Sequence, residues 1–111
     1  MWHYVNRVTV IATGTPVQVT ADHYPCQTLL FQQVQGNTGK LYICDRATAN
    51  ITTGVGVLAM LPPPSMGATY ASVLPYVSVT VPSAPAALNA NKFWIDADVN
   101  SDKCQVSAVR N

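Results

Sequence analysis

Hydrophobic and polar residues alternate along much of the chain with a period of two, and no segment carries a convincing stripe of period 3.6. In residues 15–20, for example, Val17 and Val19 alternate with threonine and glutamine, which is typical of a half-buried β-strand. This pattern predicts about eight short strands separated by turn residues. The predicted strands are residues 4–11, 15–20, 27–34, 41–44, 55–61, 76–81, 93–96 and 105–110.

Four segments between these strands carry turn or loop signals. Residues 36–39 read Gly-Asn-Thr-Gly and residues 98–102 are rich in aspartate and asparagine, so both predict β-hairpins. Residues 62–75 hold four prolines, and residues 82–91 form a small-residue loop with room for one helical turn. The two longer segments predict the crossover connections of a Greek-key or jelly-roll topology.

The residue types agree with an all-β fold. Valine (fifteen) and threonine (eleven) are abundant and glutamate is absent, and β-branched residues fit a pleated sheet better than a helix. With 111 residues, the chain has room for one modest core. We therefore predict one domain over residues 1–111, a β-sandwich or jelly roll of about eight short antiparallel strands. We also expect an N-terminal arm (residues 1–4) and a Pro-rich loop (residues 62–75).

Charged residues make up only 10% of the chain, against about 25% in ordinary soluble domains, and the net charge is +1. This balance excludes the basic patch that a nucleic-acid-binding protein needs. The longest apolar window, residues 54–64, is too short to span a bilayer, and the first residues show no secretion signal, which indicates synthesis in the cytoplasm. We expect neither a nucleic acid nor a membrane as a partner. A surface so poor in charge favours a subunit that its neighbours cover.

The motifs of common catalytic and cofactor sites are missing from the sequence. A phosphate-binding loop ending at Gly39-Lys40 would need a glycine at position 34, which is a valine. His3 and His23 are the only histidines, and Asp22, next to His23 in sequence, would point to a different side of a strand or turn. We therefore expect no catalytic residue, no enzymatic activity and no cofactor.

One turn contains acidic residues at a spacing that resembles a cation site. Asp96, Asp98 and Asn100 copy the opening of a calcium-binding loop. The sixth position of that loop, however, is Ser101 rather than glycine, and the twelfth is serine rather than glutamate. We predict that these side chains and Asp102 cap a turn and bind no metal.

The cysteines are odd in number and widely spaced, unlike a disulfide framework or a zinc site. We predict that Cys26, Cys44 and Cys104 are free thiols packed as small hydrophobic residues. A disulfide between two of them is the alternative.

Aromatic residues supply most of the candidates for partner contacts. Phe31 and Trp94 lie in predicted strands, where we expect them in the core. Trp2 and Tyr4 lie at a chain end, where a large apolar group either folds back or docks on a partner. The chain end and the Pro-rich loop are the segments least committed to the sheets, and large aromatic residues dominate interface hot spots. The predicted partner-contact residues are Trp2, Tyr4, Met66, Tyr70 and Tyr76.

Three runs of the sequence resemble small virion proteins of tailed bacteriophages. They are FQQVQGNTGKLYICD (residues 31–45), ITTGVGVL (residues 51–58) and FWIDADVNSDKCQVS (residues 93–107). The shared pattern is a strand, an Asn-Thr-Gly hairpin, a glycine-rich strand and a final hairpin after Ile-Asp. The chain departs from it with Cys44 and Ser101 where glycine is expected, and with an inserted segment over residues 62–76.

The resemblance implies a structural role in the virion and no enzymatic activity. It favours a capsid decoration (cement) protein, often trimeric, which binds the major capsid protein, stabilises the assembled shell and is made in the cytoplasm of the bacterial host. The alternatives are a minor head–tail, tail or spike component of the virion, and a carbohydrate- or receptor-binding β module. Exposed tryptophan and tyrosine on one concave face would favour the last of these.

Overall fold

The computed structural model describes residues 2–69, 74–81 and 87–110. The regular structure of this part of the chain consists of strands and one short 3₁₀ helix. In chain order the elements are β1 (Trp2–Thr9), β2 (Val17–Gln18), β3 (Pro25–Cys26), β4 (Thr28–Gln33), β5 (Leu41–Cys44), β6 (Val57–Leu61), β7 (Tyr76–Thr80), β8 (Leu88–Asn89), the 3₁₀ helix (Ala90–Lys92), β9 (Trp94–Ala97) and β10 (Lys103–Val109). None of these elements is a helix of the length and hydropathy that crossing a membrane requires.

Eight of the strands form two four-stranded antiparallel sheets. Sheet A has the order β1-β10-β4-β7 and sheet B has the order β2-β9-β5-β6, while β3 and β8 form a separate short ribbon. The inward-facing side chains of both sheets pack into one hydrophobic core. The described chain is therefore an all-β sandwich, as the alternation of polar and apolar residues predicts.

The strand pairing follows one rule along the chain. β1 pairs with β10, β2 with β9, β3 with β8, β4 with β7 and β5 with β6, always antiparallel. This nesting is that of one long hairpin whose tip is the connection between β5 and β6. The hairpin is wrapped so that β4 also pairs with β10 and β5 with β9, which completes each sheet.

The core takes every second residue of the long strands. On β4, Leu29, Phe31 and Gln33 are fully buried and alternate with half-buried neighbours. The rings of Phe31 and Phe93 pack with their centroids 5.5 Å apart, an arrangement that favours aromatic pairs. Burying a side chain such as Phe31 stabilises the fold by roughly 1.5–3 kcal/mol. Phe31 is thus a core residue, as predicted, whereas Trp94 is only half-buried.

Each predicted strand overlaps an observed one, and β5 has the predicted bounds. β2 is shorter than the strand predicted over residues 15–20, because Pro16, just before it, has no backbone N–H to donate. The sequence does not predict β3 and β8, since a strand of two residues has no periodicity to detect.

The two segments predicted as hairpins join different sheets, so the hairpin prediction is wrong. Residues 36–39 lead from β4 in sheet A to β5 in sheet B, and residues 98–102 lead from β9 in sheet B to β10 in sheet A. Both are turns, with φ of +95° at Gly36 and +72° at Ser101. Turn residues signal a change of direction, but packing decides which sheet the next strand joins. We call these segments the 36–39 corner and the 98–102 corner.

The structure also corrects the prediction of an N-terminal arm. Residues 2–4 belong to β1, where Trp2 pairs with Val109 and Tyr4 with Ser107. The edge of β10 offers these residues backbone hydrogen-bond partners that a free arm would lack. Met1 lies outside the described residues.

The two predicted loops are irregular over most of their described length. The Pro-rich loop contains no strand in residues 62–69 and 74–75, while residues 70–73 lie outside the described part of the chain. The helical turn expected within residues 82–91 is the 3₁₀ helix, which the side chain of Asn89 caps.

Candidate binding surfaces

The outer face of sheet A brings together three of the five predicted contact residues. Trp2 and Tyr4 project from β1 and Tyr76 projects from β7, and these are the two edge strands of the sheet. Their side chains are 52%, 63% and 59% exposed, respectively. We call this surface the sheet A face. Sequence reasoning found its aromatic residues, but only the strand pairing places Tyr76 on the same face as Trp2.

A groove of about 350 Å³ lies on the sheet A face. Trp2 and Tyr76 line it from opposite edges of the sheet, and side chains of β4 and β7 form its floor. The floor residues are Thr28, Leu30, Gln32 and Ser78. Apart from Leu30, this floor presents hydroxyl and amide groups, and none of the lining residues is charged.

Met66 lies apart from this groove. Its side chain is fully exposed on the Pro-rich loop and lines a second groove, of about 480 Å³, together with residues 35–38. Tyr70 lies outside the described residues. The predicted contact residues that the structure describes therefore form two surfaces rather than one.

A further apolar surface, which sequence reasoning missed, lies along β6. Val55, Leu58 and Met60 are each about half exposed, and Tyr42 of β5 lies directly beside Met60. We call these four residues the β6 surface. β6 is an edge strand of sheet B, and its five residues, Val-Leu-Ala-Met-Leu, include no charge. The missing charge was visible in the sequence, but the position of β6 at an edge follows only from the topology.

Asp96, in β9, and the 98–102 corner that follows this strand hold the loop between β1 and β2. Asp96 is fully buried and accepts a hydrogen bond from the backbone N–H of Gly14 at 3.0 Å. The side-chain oxygen of Asn100 accepts one from the backbone N–H of Thr13 at 2.8 Å. Among the described residues, no group of three or more histidine, cysteine, aspartate or glutamate side chains is placed to hold a metal ion. The described contacts of the turn are those of a structural cap.

Side-chain hydrogen bonds join the 98–102 corner to the 36–39 corner. Asp102 is buried and accepts a hydrogen bond from the backbone N–H of Gly39 at 2.9 Å. The side chain of Asn37 accepts from the backbone N–H of Lys103 at 2.9 Å and donates to its carbonyl oxygen at 2.5 Å. A Cβ atom at Gly39 would lie 2.7 Å from a methyl carbon of Val99, so only glycine fits this close approach. The two corners are therefore hydrogen-bonded to each other at one end of the sandwich.

All three cysteines are free and buried, in agreement with the predicted thiols. Burial raises the pKa of Cys104 to about 12. Burial also raises the pKa of Cys44 to about 11, and the negative charges of Asp96 and Asp45 add to the effect. Because the thiolate is the reactive form, these surroundings make the thiols inert at neutral pH.

The two histidines do not form a dyad with a carboxylate in the described contacts. The Nδ1 atom of His23 lies 2.7 Å from the side-chain nitrogen of Asn89, and His3 is exposed on β1. Arg46 forms an exposed ion pair with its neighbour Asp45 at 2.7 Å. Exposed pairs of this kind add little to stability or binding.

The described residues thus offer three candidate surfaces, of which the mixed polar and aromatic sheet A face and the apolar β6 surface differ most in chemistry. Their chemistry is the basis for any functional argument, because a fold by itself does not define a function. In comparisons with known proteins, the chain matches no family model, no curated protein and no solved structure.

Proposed function

We propose that this chain is a structural protein of a bacteriophage virion, which decorates the assembled shell of the major capsid protein and stabilises it. The observation that carries the proposal is the β6 surface, an apolar strand edge without a charged residue. The resemblance of residues 31–45, 51–58 and 93–107 to small virion proteins supplies the partner.

An exposed apolar edge strand is a liability in a free protein. Its unpaired backbone groups and apolar side chains invite association, and soluble proteins usually protect such edges with charges, proline or a covering segment. β6 has neither charge nor proline within its five residues, and it exposes Leu58 and Met60. A neighbouring subunit that adds a strand or an arm to β6 would satisfy these backbone groups and bury both side chains.

The strand order supports a virion role as well. We propose that the two facing four-stranded sheets, which are built from nested antiparallel pairs, form a jelly roll, in which two Greek keys combine. Viral capsid domains and lectins share this architecture. Because one fold serves several functions, the strand order adds to the argument from β6 and does not replace it.

Under this proposal the chain is made in the cytoplasm of the bacterial host and resides in the virion, with other copies of itself in a trimer. Its role is binding, without catalysis, cofactor or metal. A protein that binds only the assembled shell stabilises that shell by mass action. The alternative docking surface is the set predicted from sequence, namely Trp2, Tyr4, Met66, Tyr70 and Tyr76.

Co-sedimentation with empty shells, and with unassembled subunits, of the major capsid protein encoded alongside this chain tests the proposal. We expect binding to shells only, at a copy number comparable with that of the capsid protein. A minor neck, tail or spike component would be present in far fewer copies. Binding should change little between about 0.1 and 0.5 M salt, since the chain has few charges to screen. The proposal fails if shells do not retain the chain.

Variants then identify the docking surface. The double substitution Leu58→Lys and Met60→Lys puts charge on the β6 edge and should weaken shell binding by at least about tenfold. Tyr4→Ala and Met66→Ala, on the other two surfaces, are the controls and should bind like wild type. All of these side chains are exposed, so the melting temperature should stay close to that of wild type. The opposite pattern would assign docking to the residues predicted from sequence.

A further inference from the structure

We propose that the sheet A face binds a neutral saccharide, and that the groove between Trp2 and Tyr76 holds one sugar ring. This function goes beyond shell binding and uses the opposite side of the sandwich from the β6 surface. Three features carry it: two exposed aromatic rings, a polar floor with free hydrogen-bonding groups, and a lining without charge.

The aromatic rings provide an apolar contact of limited size. Trp2 and Tyr76 are both more than half exposed and line the groove from opposite edges of sheet A. The face of an aromatic ring is the negative side of its quadrupole and attracts C–H groups that carry partial positive charge. A pyranose ring presents such C–H groups on its apolar face. Tyr4 lies in the same row of the sheet as Leu30 and Ser78 of the floor, so a third aromatic side chain flanks the groove.

The floor of the groove provides both hydrogen-bond donors and hydrogen-bond acceptors. The side chains of Gln32 and Ser78 have no hydrogen-bond partner among the described residues. An amide and a hydroxyl each donate and accept, and so do the hydroxyl groups of a sugar. The neighbouring hydroxyls of Thr28 and Thr80 lie 3.1 Å apart and bond to each other. Gln32 and Ser78 are therefore the groups available to orient a ligand.

The absence of charged residues from the lining of the groove favours a neutral ligand. None of the residues that line it is charged. Arg7 lies in the same row of the sheet as Gln32, but its guanidinium donates to Gln105 at 2.7 Å. An anionic sugar would need a cationic group directed into the groove, and the lining provides none.

A saccharide also fits this surface better than a protein does. The centre of a protein interface is depleted in serine and rich in apolar groups, whereas three of the four floor residues here are serine, threonine and glutamine and only Leu30 is apolar. A flat apolar partner would leave the groups of Gln32 and Ser78 buried without hydrogen bonds, which is unfavourable. A groove of about 350 Å³ lies within the range of small-ligand sites. The β6 surface has the opposite, protein-like character.

The experiment is a screen of the full chain against immobilised neutral oligosaccharides of glucose, galactose, mannose and N-acetylglucosamine, with sialylated and sulfated glycans on the same array. The best neutral ligand is then titrated into the chain and followed by NMR chemical shifts. We expect saturable binding with a Kd below about 10 mM. Trp2→Ala and Tyr76→Ala should each weaken it by at least about tenfold, and Gln32→Ala should weaken it by about threefold or more.

Leu58→Ala on the β6 surface is the matched control and should leave saccharide binding unchanged, while melting temperatures confirm that each variant is folded. The inference is overturned if no neutral saccharide binds below about 10 mM, if Trp2→Ala and Tyr76→Ala bind as tightly as wild type, or if only anionic glycans bind. Shell binding of the same variants separates this inference from the proposed function. Trp2→Ala should weaken saccharide binding and leave shell binding unchanged. If Trp2→Ala instead weakens shell binding and leaves saccharide binding unchanged, the sheet A face is a shell contact.

Discussion

At the scale of single residues, the buried thiols make the stability of the fold fall as pH rises in the alkaline range. In the unfolded chain Cys104 loses its proton near the ordinary pKa of 9.0, whereas in the fold it keeps the proton to about pH 12. Between these values the unfolded state binds fewer protons, so the free energy of unfolding falls as pH rises. The loss is up to about 1.4 kcal/mol per pH unit for this thiol, and below pH 9 its contribution is constant.

Melting temperatures measured between pH 8 and 11 check this prediction. Cys104→Ala removes the titrating group and should flatten the decline of the melting temperature above pH 9. Val106→Ala is the control, because Val106 is equally buried on β10 and its truncation also leaves a cavity, but no proton is involved. Curves of equal slope for wild type and Cys104→Ala would contradict the prediction.

The complete burial of the polar side chain of Gln33 is a feature that the sequence does not reveal. The alternation on β4 places it on the same face as Leu29 and Phe31, but its polarity favours a position in solvent. In the fold it is fully buried, and its amide donates to the carbonyl oxygens of Gly39 at 3.1 Å and Pro62 at 2.8 Å. These partners come from two loops whose positions depend on the whole fold, so sequence alone does not predict that the amide is satisfied.

At the scale of elements, the hydrogen bonds between the two corners hold the sheets in register at one end. Asp102→Ala would leave the buried N–H of Gly39 without its acceptor. We expect a loss of about 1.5–3 kcal/mol in the free energy of unfolding, since this hydrogen bond has a charged acceptor. Asp102→Asn keeps an oxygen of similar position and should lose less.

Urea unfolding monitored by circular dichroism measures these losses from the shift of the midpoint. Asp98→Ala is the matched control, because Asp98 belongs to the same turn but is exposed and accepts a hydrogen bond from the Tyr42 hydroxyl at 2.9 Å. That variant should stay within about 0.5 kcal/mol of wild type. Equal losses for Asp102→Ala and Asp98→Ala would show that the corner contact does not stabilise the fold.

The sequence predicts the strands much better than their partners. The apolar residues of segments 27–34 and 41–44, which turn residues separate, identify β4 and β5 almost residue by residue. The turn signals at both corners are equally clear, yet they do not say whether the next strand pairs with the last. That choice depends on contacts with strands far along the chain. The candidate surfaces divide in the same way: Trp2 and Tyr76 stand out in the sequence, but their shared groove and the exposed edge of β6 follow from the sheet order.

At the scale of the whole molecule, the nested pairing makes almost every strand contact a long-range one. β5 and β6, at the tip, are joined by residues 45–56, whereas β1 and β10 pair residues 2–9 with residues 103–109. Sheet A is complete only when the two ends of the described chain meet, because β10 lies between β1 and β4. The fold therefore has little local structure that would form independently of the rest.

This topology predicts slow refolding for a chain of this length. The entropy of closing large loops is lost before the contacts that compensate for it form, and all-β domains of this kind fold in milliseconds to seconds. Stopped-flow dilution from denaturant, with tryptophan fluorescence as the signal, measures the rate. The eight prolines would add phases of tens of seconds, so a double-jump experiment with brief unfolding keeps them in their native isomers and isolates the folding step. A main phase faster than about 1 ms would contradict the argument, because it would require a nucleus of local contacts that nested pairing does not provide.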